Sequence, residues 1–259
     1  MEGLAEWTKL LLKSAKPSIG FELMRELGIL RYYPELEALI GLLQSPKYHP
    51  EGDVWIHTMM CVDAMASLLA ENEKLNLKYM FAILCHDLGK AMTTTIDAEG
   101  NIRAIGHEIE GLEATKSFMY RLSDEHNFIE SLLPLIEHHL KPSQFYAAKS
   151  KDKAIRRLAT KVNIEELVLV AWADFLGRST DEAITLDYKA GEWLLEKASQ
   201  LNVKTKPLDH LLQGRDLIDM GLEPSPRFKE ILDEVYSLQL DGEIKDRGQA
   251  LTYVKEKIL

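Results

Sequence analysis

The chain has 259 residues, a formal net charge of −10, 46% hydrophobic and 28% charged residues, and two cysteines. No apolar run approaches the roughly 20 residues of a membrane span. The opening Met1-Glu-Gly-Leu-Ala-Glu-Trp7 has neither the basic region nor the apolar stretch of a signal peptide, so a cytoplasmic protein is expected.

In chain order, helical periodicity dominates. Helices are expected over 4–14, 18–27, 35–43, 54–72, 76–88, 106–122, 127–140, 151–160, 164–177 and 181–200, with breaks at Pro17, Pro34, Pro46, Pro50, Gly89 and Pro142. The best strand candidate is 93–103, where β-branched residues flank Asp97-Ala-Glu-Gly-Asn101, giving a short hairpin or a plain loop. Asn202-Val-Lys-Thr-Lys-Pro207 reads as a linker. Three short amphipathic pieces follow: Gly214–Gly221, a helix opened by Ser225-Pro226, and another from Asp246. The expected fold is all-α: a helical connector (1–47), a helix bundle with the site in its core (48–204), and a C-terminal helical extension (205–259).

Charge is unevenly spread. The overall acidity argues against a general nucleic-acid binder. Yet seven basic residues (Lys141, Lys149, Lys151, Lys153, Arg156, Arg157, Lys161) face one acid, Asp152, between Lys141 and Lys161. That run is either a solvated segment or a positive wall steering a phosphate-bearing ligand or RNA, with Lys151, Lys153, Arg156 and Arg157 as contacts. Cys61 and Cys85 lie in apolar helical segments and read as buried thiols of a reducing compartment, not as a ligand pair.

The chemistry lies in polar residues that interrupt apolar helical stripes. His86-Asp87 ends the run Tyr79–Cys85, and a buried imidazole beside a buried carboxylate is costly unless compensated. A divalent metal ion compensates both. His57 shares its helix face with Met60, Cys61, Ala64 and Leu68, so its ring points inward. Asp174 shares a face with Leu167, Val170 and Ala171 and needs a cation, donors or a proton. Arg178, four residues on, is the competing partner. His107 and His139 could extend the site to a second metal or meet substrate, His138 is the less inward of its pair, and His49, His126 and His210 lie in polar or proline-rich settings.

The order His57…His86-Asp87…Asp174 matches the H…HD…D signature of the HD superfamily of metal-dependent phosphohydrolases. Within it, the sequence resembles the HD-containing C-terminal portion of bacterial tRNA nucleotidyltransferases (CCA-adding enzymes) and their poly(A) polymerase relatives. The matching stretches are Tyr48–Thr58, Leu84-Cys-His-Asp-Leu-Gly-Lys90, Gly106-His107, Glu137-His138-His139-Leu140 and Ala173-Asp-Phe-Leu-Gly-Arg178, then Gly214–Gly221 and Leu240-Asp-Gly-Glu-Ile244. The nucleotide-adding activity of that family resides in an N-terminal domain with a Gly-Ser element and paired aspartates, a motif this sequence does not contain. With Met1 as the true start, the resemblance implies a phosphohydrolase and an RNA-docking scaffold, not a polymerase, with the missing domain on a separate nucleotidyltransferase chain.

The expected chemistry is metal-dependent hydrolysis of a phosphodiester or phosphomonoester by metal-activated water. The ligands are His57, His86, Asp87 and Asp174, and Asp87 bridges to a second ion if His107 and His139 also ligate. Lys90 and Arg178 are the candidates to hold substrate phosphate. Ligation without cysteine favours Mn, Co, Ni, Fe or Mg. The resemblance favours 2′,3′-cyclic nucleotides, nucleotide phosphates and RNA ends as substrates. The alternatives are a tRNA- or partner-binding module with little hydrolytic activity, and a different HD enzyme such as a deoxynucleotide triphosphatase or an alarmone hydrolase.

Overall fold

The computed structural model describes residues 2–257. The elements run α1 (Glu2–Leu12), α2 (Ser18–Glu26), a 3-10 turn (Leu30–Tyr32), α3 (Pro34–Glu37), α4 (Val54–Leu68), α5 (Glu73–Cys85), α6 (Lys90–Thr93), β1 (Thr94–Ile96), β2 (Ile102–Ala104), α7 (His107–Tyr120), α8 (His126–His138), α9 (Lys141–Ala147), α10 (Asp152–Ala159), α11 (Ile164–Leu176), α12 (Asp181–Ile184), α13 (Lys189–Gln200), α14 (Gly214–Asp219), α15 (Arg227–Asp241) and α16 (Arg247–Lys257). The fold is all-α, with β1 and β2 pairing antiparallel as the small hairpin around Asp97. No described helix is long and apolar enough to cross a membrane.

The chain divides into two compact units, Met1–Ala148 with Glu165–Trp193, and Lys149–Ile164 with Leu194–Leu259. In the first, α4, α5, α7 and α8 pack on one another around a buried aromatic cluster. Trp7 lies edge-on to Phe118 at 5.2 Å and 5.5 Å from Phe21, and Phe81 stands 6.4 Å from Phe118. Each such ring contributes about 1.5–3 kcal/mol when taken out of water. Asp53 starts α4: its Oδ1 accepts from the Ile56 N–H at 2.8 Å and its Oδ2 from the Gly41 N–H at 2.8 Å.

Two expected helices and one expected break differ, each for a local reason. The 35–43 helix stops at Glu37, because the carbonyls of Leu39 and Leu42 turn to accept the Trp55 and Val54 N–H groups opening α4. The 181–200 helix is split: Leu186 takes φ 59°, and Tyr188 is drawn inward to stack on Phe175 at 4.9 Å. Pro142 does not merely end a helix but sits in the first turn of α9, where its missing N–H costs nothing.

The second unit closes on Leu212, Leu217, Ile231, Val235, Ile244, Ala250 and Val254. Helix α10 joins it through buried Ile155 and Leu158 and through its arginines. Arg157 pairs with Asp241 at 3.0 Å and donates to the Ser237 hydroxyl at 2.9 Å, and Arg156 donates to the Leu240 carbonyl at 3.3 Å. The Arg157–Asp241 pair is largely solvated, so Arg157→Ala is expected to cost no more than about 1 kcal/mol, read from urea denaturation.

Candidate metal centre

Four imidazoles and two carboxylates meet in the first unit. His57 comes from the first turn of α4, His86 and Asp87 from the turn after α5, His107 from the start of α7, His139 from the end of α8, and Asp174 from the last turn of α11. All six are at most 7% exposed.

Their backbone surroundings fix how the rings face. His86 Nδ1 donates to the Ile83 carbonyl at 2.7 Å, His107 Nδ1 to Ala104 at 2.7 Å and His139 Nδ1 to Ile136 at 2.6 Å. In each case the acceptor is the carbonyl three residues earlier, so the proton resides on Nδ1 and the Nε2 lone pair is left for the interior. His57 obeys the same logic with a side chain, its Nδ1 lying 2.8 Å from Glu51 Oε1.

The lone pairs converge on the carboxylates. His57 Nε2, Asp174 Oδ1, His86 Nε2 and Asp87 Oδ2 form a ring with successive separations of 3.1, 3.9, 3.2 and 3.8 Å. Atoms ligating one divalent ion at about 2.0–2.2 Å stand roughly 3–3.5 Å apart, so the ring is a little wider than a filled one and fits. His86 Nε2 and Asp87 Oδ2 are buried with no hydrogen-bond partner. An orphan such as His86 Nε2 costs about 1–3 kcal/mol and a cation there would satisfy it, whereas Asp87 Oδ2 has the Lys90 ammonium 2.7 Å away. On its other side, Asp87 Oδ1 is 3.3 Å from His107 Nε2, which is 3.3 Å from His139 Nε2. One ligand atom from each of Asp87, His107 and His139 lies within 4.8 Å of the others, a second group able to hold an ion.

Electrostatics agree. Burial would raise Asp87, yet His86, Lys90 and His107 hold it well below the usual carboxylate range. Burial would likewise raise Asp174, which Arg178, His57 and His86 outweigh. Burial pushes His139 down to about 3, with His86 and His107 adding to the effect, so it stays neutral. Burial would lower His57, but Cys61, Asp174 and Glu51 outweigh it and raise it well above the usual histidine range. A cation at Nε2 takes the place of the proton those neighbours favour.

Lys90 and Arg178 both line an open cavity of about 260 Å³ together with Asp87, His107, His139 and Asp174. Lys90 Nζ lies 2.7 Å from Asp87 Oδ2, without hydrogen-bond alignment, and donates to Gln44 Oε1 at 2.9 Å. The competing partner of Asp174 is also present: one Arg178 nitrogen donates to both its oxygens, at 3.0 and 2.9 Å. That pairing leaves Oδ1 facing His57, and Arg178 Nε is buried without an acceptor. Lys151, Lys153, Arg156 and Arg157 are brought together on the second unit, with Arg156 and Arg157 engaged by α15 as described.

Sequence reasoning passed over four residues here. Glu51 orients His57, accepts from His49 Nδ1 at 2.9 Å and from the Ser179 N–H at 3.2 Å, and is held below the usual carboxylate range by those histidines against its burial. His49, set aside for its proline-rich setting, lines the cavity with its ring 4.5 Å from that of His57. Gln44 anchors Lys90 and donates to the Gly52 and Asp53 carbonyls. Cys61, read as a plain buried thiol, has its Sγ 3.4 Å from His57 Nε2. His138, read as the less inward of its pair, is 5% exposed against 2% for His139. Because orienting partners of metal-binding histidines tune affinity, Glu51→Gln is expected to weaken divalent-metal binding about 10- to 100-fold, read by calorimetric titration.

Residues 54–178 match the family model described as the HD domain, and the stretch contains every histidine and carboxylate of the cluster. With the buried cluster, the match supports a phosphohydrolase of the HD superfamily, whose members are generally metal-dependent hydrolases, and it suggests divalent-metal binding.

Proposed function

We propose that this chain hydrolyses phosphodiesters or phosphomonoesters of nucleotides or RNA ends, with His57, His86, Asp87 and Asp174 holding the catalytic ion. The observation that carries the reading is the convergence of His57 Nε2, His86 Nε2 and two carboxylates, with Asp87 and Asp174 lining a cavity alongside Lys90 and Arg178. A bound divalent ion supplies Lewis-acid polarisation of a phosphoryl oxygen and a lowered pKa for the attacking water.

The protein groups do the rest. Arg178, with Nε lacking an acceptor, offers a buried donor to a phosphate oxygen, and Lys90 offers a point charge fixed by Gln44. Asp87, with Oδ2 toward His86 and Oδ1 toward His107, would help His107 and His139 hold a second ion. The open cavity of about 260 Å³ has room for a phosphate group beside Lys90 and Arg178. The preference for RNA ends rests on the resemblance of Tyr48–Thr58 and the later stretches to CCA-adding enzymes, and a cytoplasmic location belongs to the same proposal.

The alternative, a tRNA- or nucleotidyltransferase-binding module, draws on the basic run, where Arg156 and Arg157 already serve α15. It predicts salt-sensitive tRNA binding that falls when Lys151 and Lys153 are neutralised.

The deciding experiment is metal analysis of the purified protein with a panel of phosphomonoesters, 2′,3′-cyclic nucleotides and a generic phosphodiester. Activity is expected to vanish with a chelator and return with a divalent ion. Turnover unaffected by exhaustive chelation would sink the proposal.

A further inference from the structure

We propose that the mouth of the cavity is a nucleobase subsite, in which Tyr48 stacks on the base that adjoins the phosphate under attack. The inference rests on the reading of the cavity as a phosphohydrolase site and names what the substrate carries beyond its phosphate. Tyr48 and Leu43 line the same cavity as Asp87 and Asp174. They are 56% and 57% exposed, against 2% and 5% for the two carboxylates. The cavity therefore runs from a buried, charged end to an exposed, apolar one.

The backbone holds the tyrosine in place. The Tyr48 and His49 N–H groups both donate to the Ser45 carbonyl, at 3.1 and 2.9 Å. That turn is tied at each end to residues of the site. Gln44 donates to the Gly52 and Asp53 carbonyls at 3.2 Å, and His49 Nδ1 lies 2.9 Å from Glu51 Oε1. Lys47 Nζ stands 5.3 Å from the Tyr48 ring centroid, yet more than half of the residue stays exposed, so surface remains for a base. The hairpin adds Ile102 and Arg103 of β2 to the lining. Aromatic rings and guanidinium planes are the surfaces on which unpaired bases stack.

The rim changes what the site selects. A sugar phosphate satisfies the charged end and leaves Tyr48 and Leu43 in water. A nucleotide covers them with a flat heterocycle while its phosphate reaches Lys90 and Arg178. Every base has a π-face, so stacking favours nucleotides over sugar phosphates without choosing among bases. The base of a free nucleotide and the terminal base of an RNA present the same chemistry here.

The test is calorimetric titration, with manganese present, of two phosphonates that cannot be cleaved. One is the analogue of adenosine 5′-monophosphate with a methylene in place of the bridging oxygen, and the other is the same analogue of ribose 5-phosphate. Wild-type protein is expected to bind the adenosine analogue at least about fivefold more tightly. Tyr48→Ala is expected to lose that preference while keeping its affinity for the ribose analogue, and Tyr48→Phe to retain the preference. Tyr32→Ala, which removes an exposed ring outside the cavity lining, is expected to match wild type. Turnover of adenosine 5′-monophosphate and of a 5′-phosphorylated trinucleotide then tells a free nucleotide from an RNA end. Equal affinity of wild-type protein for the two analogues, or a preference that survives Tyr48→Ala, overturns the subsite, and chelator-sensitive hydrolysis in the same preparation leaves the hydrolase reading standing. A base preference lost in Tyr48→Ala, in a protein that cleaves none of the esters, upholds the subsite and overturns the hydrolase reading.

Discussion

Asp87→Ala is expected to lower metal-dependent hydrolysis by at least about 10³-fold, equivalent to roughly 4 kcal/mol of lost transition-state stabilisation. The size follows from position. One oxygen of Asp87 lies 3.2 Å from His86 Nε2 and 2.7 Å from Lys90 Nζ, and the other lies 3.3 Å from His107 Nε2. Removing the carboxylate takes a negative ligand from the proposed ion and leaves the buried Lys90 ammonium with only Gln44. Breaking a buried pair by deleting one partner costs about 3–5 kcal/mol, so the alanine variant will also melt earlier. Asp87→Asn separates the two effects, since it keeps the volume and an acceptor oxygen while removing the charge. Its turnover is expected to fall nearly as far while its melting temperature falls less. Steady-state kinetics, bound-metal analysis and thermal unfolding on both variants provide the check. Wild-type turnover by metal-reloaded Asp87→Ala would falsify the assignment.

Gly89→Ala is expected to be the most destabilising single-methyl change near the site. A Cβ there would stand 1.9 Å from the His107 carbonyl oxygen and 2.6 Å from the Gly111 nitrogen. Both are backbone atoms, so no side chain can swing aside, and α6 must move away from α7. Overpacking of this kind costs about 3 kcal/mol or more. For a chain of this size that lowers Tm by roughly 6–12 °C. Because the displaced carbonyl belongs to His107, the damage reaches the second histidine pair as well as the helix contact. Thermal unfolding followed by circular dichroism measures the effect, and a melting temperature within a degree or two of wild type would contradict the packing argument.

The residues that sequence patterning brought forward share one property. His57, His86-Asp87 and Asp174 each interrupt an apolar stripe on a regular helix, where periodicity says which side faces inward. Gln44, His49 and Glu51 lie in the irregular stretch before α4, where no period exists to tell inward from outward. Cys61 was placed on the face of His57, but a thiol is indistinguishable from alanine in a hydrophobic pattern. The break at Leu186 was hidden because Tyr188 answers to a ring on α11, and tertiary contact overrides local propensity there. The basic run shows the converse. Composition exposed its charge, while the partners that occupy Arg156 and Arg157 are 80 or more residues away in the chain.

The three rings anchored to carbonyls three residues back have a bearing on how such a centre can change over time. Their orienting groups are main-chain atoms, present whatever residue occupies positions 83, 104 or 136. No substitution at those positions deletes the acceptor, so ring direction there is insulated from mutation. His57 alone depends on a replaceable side chain. Among these four rings, orientation by a replaceable side chain is thereby confined to His57, which makes Glu51 the natural dial for adapting ring direction to a different ion supply.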